Sequence, residues 1–142
     1  MQTRIGAAAG ALALALTACT RGEGDSGPVP AFAGIGADET VTALGTEPFW
    51  SLTVTGGEAV YATPGNQDGT RFAVERFAGN SGIAVSGEMA GTAFDATITR
   101  GTCSDGMSDR SYPYTVTLLI GEEQRQGCAF TSREPATGPA RP

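Results

Sequence analysis

From about Glu39 to Phe130 the chain reads as run after run of alternating apolar and polar residues, broken by Gly-, Pro- and Asn-containing turns. A period of two puts successive side chains on opposite faces of an extended strand, so each run has one face for a core and one for water. Thr40 to Gly45 is the first such run, and Glu47-Pro48 interrupts it. Trp50, Leu52 and Val54 alternate with Ser51, Thr53 and Thr55 before Gly56-Gly57 turns the chain. Ala59 to Thr63 returns and stops at Pro64-Gly65-Asn66. Phe72 and Val74, then Ile83 and Val85, mark two further strands on either side of Gly79-Asn80-Ser81-Gly82, and Gly87 and Gly91 follow. Phe94, Ala96 and Ile98 form the cleanest alternation, and Tyr114, Val116, Leu118 and Ile120 share one face of the next strand. After Gly121-Glu122-Glu123, Gln124 to Phe130 is the last.

About eight short strands joined mostly by tight turns must pair antiparallel with their neighbours. Such a chain closes most economically as an all-β, up-and-down antiparallel barrel or a barrel-like sandwich. Short strands leave an interior that side chains fill, so a packed core is expected rather than a ligand cavity. Its predicted members are Trp50, Leu52, Val54, Phe72, Val74, Ile83, Val85, Phe94, Ile98, Val116, Leu118 and Ile120.

The first residues carry a different signal. Arg4 precedes an Ala/Leu-rich stretch from Ile5 to Leu16, of signal-peptide length and too short to span a bilayer comfortably. Leu16-Thr17-Ala18-Cys19 looks like a bacterial lipobox, in which cleavage before the cysteine leaves Cys19 to carry lipid. The alternatives are an ordinary signal peptide cut near Ala18 and an uncleaved anchor. Residue 20 is Thr and not Asp; in enteric bacteria the resemblance then implies the outer membrane, with the domain facing the periplasm. The predicted organisation is a signal peptide over 1–18, a lipid-anchored flexible linker over 19–37, the barrel over 38–134 and a disordered tail over 135–142. The linker reading rests on the Gly, Ser, Pro and acidic residues between Thr20 and Ala37. Thr131 to Pro142, rich in Pro, Ala and Thr, is expected to fray.

With Cys19 taken by lipid, Cys103 and Cys128 are left in an oxidising compartment and are expected to pair. A closed loop of about 25 residues is worth roughly 3.5 kcal/mol in the chain-entropy model. The chain has no His and no Lys, and its nine basic residues are all Arg. This removes His bases and ligands, Ser-His and Ser-Lys dyads and Schiff-base lysines. The net charge of −6 argues against nucleic acid. The reading is therefore non-enzymatic, with no cofactor and no metal. A calcium site built from Asp105 and Asp109 lacks the ligand count of a dedicated loop.

Two segments concentrate polar chemistry. In Gly45-Thr46-Glu47-Pro48-Phe49-Trp50, the ring of Trp50 is read as core, and Glu47 as a carboxylate in need of a partner, with Arg110 the first choice. In Cys103-Ser104-Asp105-Gly106-Met107-Ser108-Asp109-Arg110-Ser111-Tyr112-Pro113, Asp105-Gly106 reads as a turn, with Asp109 hydrogen-bonding nearby backbone N–H groups. Arg110 has Glu47, Asp105 and Asp109 as possible partners. This loop either holds itself together or presents Asp105, Ser108, Asp109, Arg110 and Tyr112 to a partner.

These motifs, with the later Gly127-Cys128, resemble an uncharacterised family of small bacterial lipoproteins or predicted membrane proteins. The resemblance implies an envelope lipoprotein and no settled activity. A weaker similarity, of architecture only, is to lipid-anchored inhibitors of c-type lysozyme; their contacting Ser and Lys motifs have no counterpart here. The expected function is that of a membrane-anchored periplasmic binding or envelope-maintenance module that uses the disulfide-stapled polar loop, with a protein partner in the cell envelope. The alternatives are an inhibitor of a cell-wall hydrolase and a structural component with no ligand. Cys19→Ala is expected to release the protein from the membrane fraction; a variant that still pellets with membranes contradicts the lipobox.

Overall fold

The computed structural model describes residues 28–139. Cys19, the signal peptide, residues 20–27 of the linker and the end of the tail lie outside the described residues. Eight strands follow in chain order: β1 (Val41–Thr46), β2 (Phe49–Thr55), β3 (Glu58–Thr63), β4 (Asn66–Ala78), β5 (Gly82–Met89), β6 (Thr92–Ser104), β7 (Ser111–Ile120) and β8 (Glu123–Thr131). Each pairs antiparallel with the next, and β8 pairs with β1, so the sheet closes into an up-and-down barrel. Antiparallel order gives the barrel two poles. The β1–β2, β3–β4, β5–β6 and β7–β8 turns lie at one, here the distal pole. The other three connections, the entry to β1 and the exit from β8 lie at the N-terminal pole.

Two strands are longer than the turn spacing predicts. β4 and β6 each run 13 residues. β4 pairs with β3 as far as Ala73 and with β5 from Val74 onward, so one strand serves two neighbours and carries the sheet around a corner. β6 contains a register shift between Arg100 and Cys103. An extra residue at such a bulge bends the strand. The stretch from Cys103 to Pro113 is accordingly not one long connection: its ends belong to β6 and β7, and only residues 105–110 form the loop.

Alternation sorts the side chains as expected. Trp50, Leu52, Val54, Val74, Ile83, Val85, Phe94, Ile98, Val116 and Leu118 are buried, while Phe72 and Ile120 are only partly so. Tyr61, Tyr114, Val41 and the small Ala43, Ala59, Ala96 and Ala129 complete the core. Aromatic rings fill the interior toward the distal pole: Trp50 and Tyr61 stack at 6.3 Å, and Tyr61 and Phe72 meet Phe94 at 5.7 and 4.7 Å. Outward positions such as Ser51, Asp95, Thr97 and Thr117 are exposed and polar. An apolar interior with a polar exterior is the reverse of a lipid-facing barrel.

Two segments expected to be loose are held by the barrel. Phe32 donates its N–H to the Gly79 carbonyl at 2.7 Å, and Ile35 is buried in the core. The described end of the predicted linker is therefore a lead-in docked on the N-terminal pole. Ser111 and Thr137 exchange two backbone hydrogen bonds of 2.9 Å, so the chain after β8 runs back along β7 instead of fraying at Thr131.

Closure between β1 and β8 leaves no room for a side chain at residue 127. A Cβ added to Gly127 meets the Leu44 carbonyl oxygen at 2.0 Å and the Trp50 ring at 2.9 Å. Neither backbone nor a packed indole yields cheaply. Gly127→Ala is expected to lower unfolding free energy by about 2 kcal/mol, against little change for Gly65→Ala, where a Cβ meets nothing within 4 Å. Equal denaturation midpoints for the two variants contradict this closure.

Candidate binding site

The β6–β7 loop is organised by Asp105. Its Oδ1 accepts the backbone N–H groups of Met107 at 2.9 Å and Ser108 at 2.8 Å. Its Oδ2 accepts the Ser108 hydroxyl at 2.8 Å and the Tyr112 hydroxyl at 3.0 Å. A short carboxylate that folds back onto following amides makes an Asx-type turn. The Met107 amide leads these donors in holding the Asp105 pKa down to about 2. Tyr112 is buried with its ring 6.2 Å from Phe130, and burial, followed by its bond to Asp105, raises its pKa. The Ser108 hydroxyl accepts the Arg110 N–H at 3.3 Å.

The loop thus uses its own polar groups. Asp105, Ser108 and Tyr112 come together as the sequence predicts. Glu47 does not join them: it is exposed in the β1–β2 turn and forms no ion pair among the described residues. The expected pairing of Arg110 with Glu47, Asp105 or Asp109 is absent there too, and the buried Arg110 Nε has no partner. Asp109 is exposed.

The disulfide joins Cys103 to Cys128 with 5.5 Å between their Cα atoms. Cys128 lies opposite Leu44 and Thr115 in the sheet, where the β1–β8 pairing ends. Beyond that pair β1 and β8 part, leaving a cleft of about 180 Å³. It is lined by Leu44, Gly45, Thr46, Cys103, Ser104, Asp105, Gln126, Gly127 and Cys128. All three motifs singled out in the sequence therefore meet at one joint. Trp50 lies against its inner side: a Cβ on Gly45 would stand 2.0 Å from the indole Nε1. The two glycines make space for the ring, and the disulfide ties the β6–β7 hairpin across the seam.

A second concavity lies at the distal pole. Phe49, Trp50, Ser51, Ala62, Thr63, Pro64 and Gln67 line a groove of about 310 Å³. Trp50 is the only tryptophan of the chain. Phe49 is 51% exposed although large and apolar. Its neighbour Glu47, and Asp68 beside Gln67, are exposed carboxylates without an ion pair among the described residues.

Sequence reasoning missed the polar network at the N-terminal pole. Arg76 donates to the carbonyls of Glu39 at 2.9 Å and Gly36 at 3.1 Å. The buried Glu39 accepts the Gly36 N–H at 2.8 Å, the Thr131 hydroxyl and the Arg133 N–H. Burial works against the Glu39 carboxylate, yet these bonds outweigh it and leave its pKa below the usual value. Arg100 donates to both Glu134 oxygens, at 3.2 and 3.0 Å, and to the Tyr114 hydroxyl at 3.0 Å. Tyr114 is wholly buried; burial, then its bond to Glu134, pushes its pKa up to about 12. One signal was available: Arg76 and Arg100 continue the inward rows of Phe72-Val74 and Phe94-Ala96-Ile98. An arginine in an inward row at a strand end implies carbonyl or carboxylate partners there.

No family model, no curated protein and no solved structure matches this chain.

Asp105 supplies a pH test. Its folded pKa of about 2 lies below the ordinary aspartate value near 3.9. Its contribution to stability is then complete above about pH 4 and is lost as pH falls toward 2. Asp105→Asn is expected to flatten the acid limb of the stability curve in that window, with variant and wild type converging at its acid end. Parallel curves contradict the carboxylate's role.

Proposed function

We propose that the chain is a lipid-anchored protein of the cell envelope that works by binding, and that its binding surface is the distal pole around Phe49 rather than the stapled loop. The observation that carries this reading is the exposed Phe49 beside an open apolar groove, on a barrel whose interior is filled. A filled interior leaves only the rim and outer wall for a ligand. The loop's hydroxyls and the Asp105 carboxylate are already engaged with one another, which leaves them a supporting part. The lipid anchor follows from the lipobox at Cys19 and from the resemblance of the three motifs to envelope lipoproteins.

The occupant of the groove is a cationic polypeptide segment carrying an apolar side chain. Glu47 and Asp68 flank the groove, Glu122 lies in the β7–β8 turn, and Glu88 near the end of β5 and Glu123 at the start of β8 belong to the same pole. Arg125, on the same pole, is bound to Glu123 and to the Tyr61 hydroxyl. Opposed fields of this kind steer partners and set specificity. The acidic pole also suits the second reading, inhibition of a basic cell-wall hydrolase.

Titration of the mature chain with the peptide Lys-Leu-Lys-Leu-Lys, followed by Trp50 fluorescence, is expected to give a saturable change. Glu47→Gln/Asp68→Asn and Phe49→Ala should each weaken it about fivefold or more, roughly 1 kcal/mol. An equal response to Glu-Leu-Glu-Leu-Glu, or no loss in either variant, contradicts the assignment.

A further inference from the structure

Closing the barrel leaves β4 with one unpaired edge. From Asn66 to Ala73 this strand is paired with β3, yet its pairing with β5 begins only at Val74↔Gly87. β5 itself runs on to Met89, held by β6. The sheet therefore forks at Val74: the distal arm of β4 goes with β3, and the tip of β5 goes with β6. Val74 donates its N–H to the Gly57 carbonyl at 2.9 Å, toward β3. Backbone groups alternate between the two edges of a strand, so the Arg71 N–H and carbonyl point the other way, into the fork. No strand among the described residues meets them there. Such an edge is a template for one more strand.

The side chains around the fork select what enters it. A cleft of about 470 Å³ opens there, lined by Ala73, Val74, Glu75, Ser86, Gly87 and Glu88. Glu75 and Glu88 are exposed on the outer side, and neither forms an ion pair among the described residues. The cation on the arm, Arg71, is bound to Glu58. On the inner side Phe72 and Met89, from the two banks of the fork, are only partly buried against the core. An entering strand thus meets carboxylates on one face and apolar side chains on the other. A period of two supplies both faces from one sequence, with cationic residues outward and apolar residues inward. A second copy of this chain fits poorly, because its net charge is −6 and its own β4 edge carries Asp68.

We propose that the fork between β4 and β5 is a strand-addition site: an extended peptide segment of alternating cationic and apolar residues pairs with the free edge of β4 beside Arg71. Main-chain hydrogen bonds supply the affinity, and the two faces of the fork supply the specificity. The site is separate from the Phe49 groove, which is walled chiefly by β2 and β3, and it does not depend on the lipid anchor.

Amide hydrogen exchange of the full chain, read residue by residue with and without excess Lys-Leu-Lys-Leu-Lys, tests this. Arg71 is expected to exchange as an open amide in the free chain and at least about tenfold more slowly with the peptide. The Phe72 amide, which points at β3, is expected to change little. Glu75→Gln/Glu88→Gln should raise the peptide concentration needed for that protection about fivefold; an unshifted midpoint overturns the cationic occupant. Trp50 fluorescence of the same mixtures reads the Phe49 groove separately. A Trp50 response with Arg71 exchange unchanged overturns the fork and leaves the groove standing. Arg71 protection with no Trp50 response does the reverse, and no response at either overturns both. Protection of Arg71 that is present without peptide and grows with protein concentration puts a second copy in the fork and overturns the peptide.

Discussion

Closure of the sheet between β1 and β8 is the constraint on which the rest of the molecule depends. Only four residue pairs, from Val41↔Thr131 to Leu44↔Cys128, hold this seam. The strands then part around the edge of Trp50. Closing over an indole requires that the wall carry no side chain there, and Gly45 and Gly127 meet that need. It also requires that the parted strands be held from outside, which the Cys103–Cys128 bridge does by tying the β6–β7 hairpin to β8. The Asp105 turn in turn fixes the loop beyond Cys103. The three segments that look most like a binding motif in the sequence therefore have a common mechanical purpose. They close the barrel.

The two poles complete that division of labour. At the N-terminal pole, hydrogen bonds donated by Arg76, Arg100 and Tyr114 and accepted by the Glu39 carboxylate seal the interior with the lead-in and the tail. A buried Glu39 carboxylate and a half-buried Arg76 are tolerable because each meets several partners. At the distal pole the interior is closed by aromatic rings, and the rim is left with an exposed Phe49, a groove and carboxylates that form no ion pair among the described residues. One end is built to be joined to the rest of the chain, and the other is left open to contact.

The barrel was legible because alternation is a local property. Phe94-Ala96-Ile98 and Tyr114-Val116-Leu118 declare an inward face whatever their neighbours do, and glycine-rich turns declare antiparallel order. The disulfide was legible from the cysteine count and the compartment that the N-terminal residues lead one to expect. The lengths of β4 and β6 were not, because Asn66 to Arg71 and Thr99 to Ser104 are polar and gain strand structure only from the partners they meet across the sheet. The lead-in and tail were misread for a related reason: their composition is that of a linker, and their order comes from Gly79, Tyr114 and Ser111, far away in sequence. The Glu47–Arg110 pairing failed because charge complementarity alone says nothing about which turn lies beside which loop. Thr46 and Asp105 line one cleft, yet the Glu47 beside it is exposed in the β1–β2 turn, and Arg110 is half-buried at the far end of its loop.

Native-state hydrogen exchange read at the β1–β8 seam tests this account most directly. If the joint of Trp50, the two glycines and the disulfide holds the barrel closed, the seam amides of Ala43, Leu44 and Ala129 exchange only through global unfolding, as slowly as those of Phe94 to Ile98. Reduction of the disulfide then makes the seam the first part of the sheet to open. Fast exchange at the seam in the oxidised protein, with β6 still protected, would show that the barrel opens there without unfolding and that the joint does not control closure.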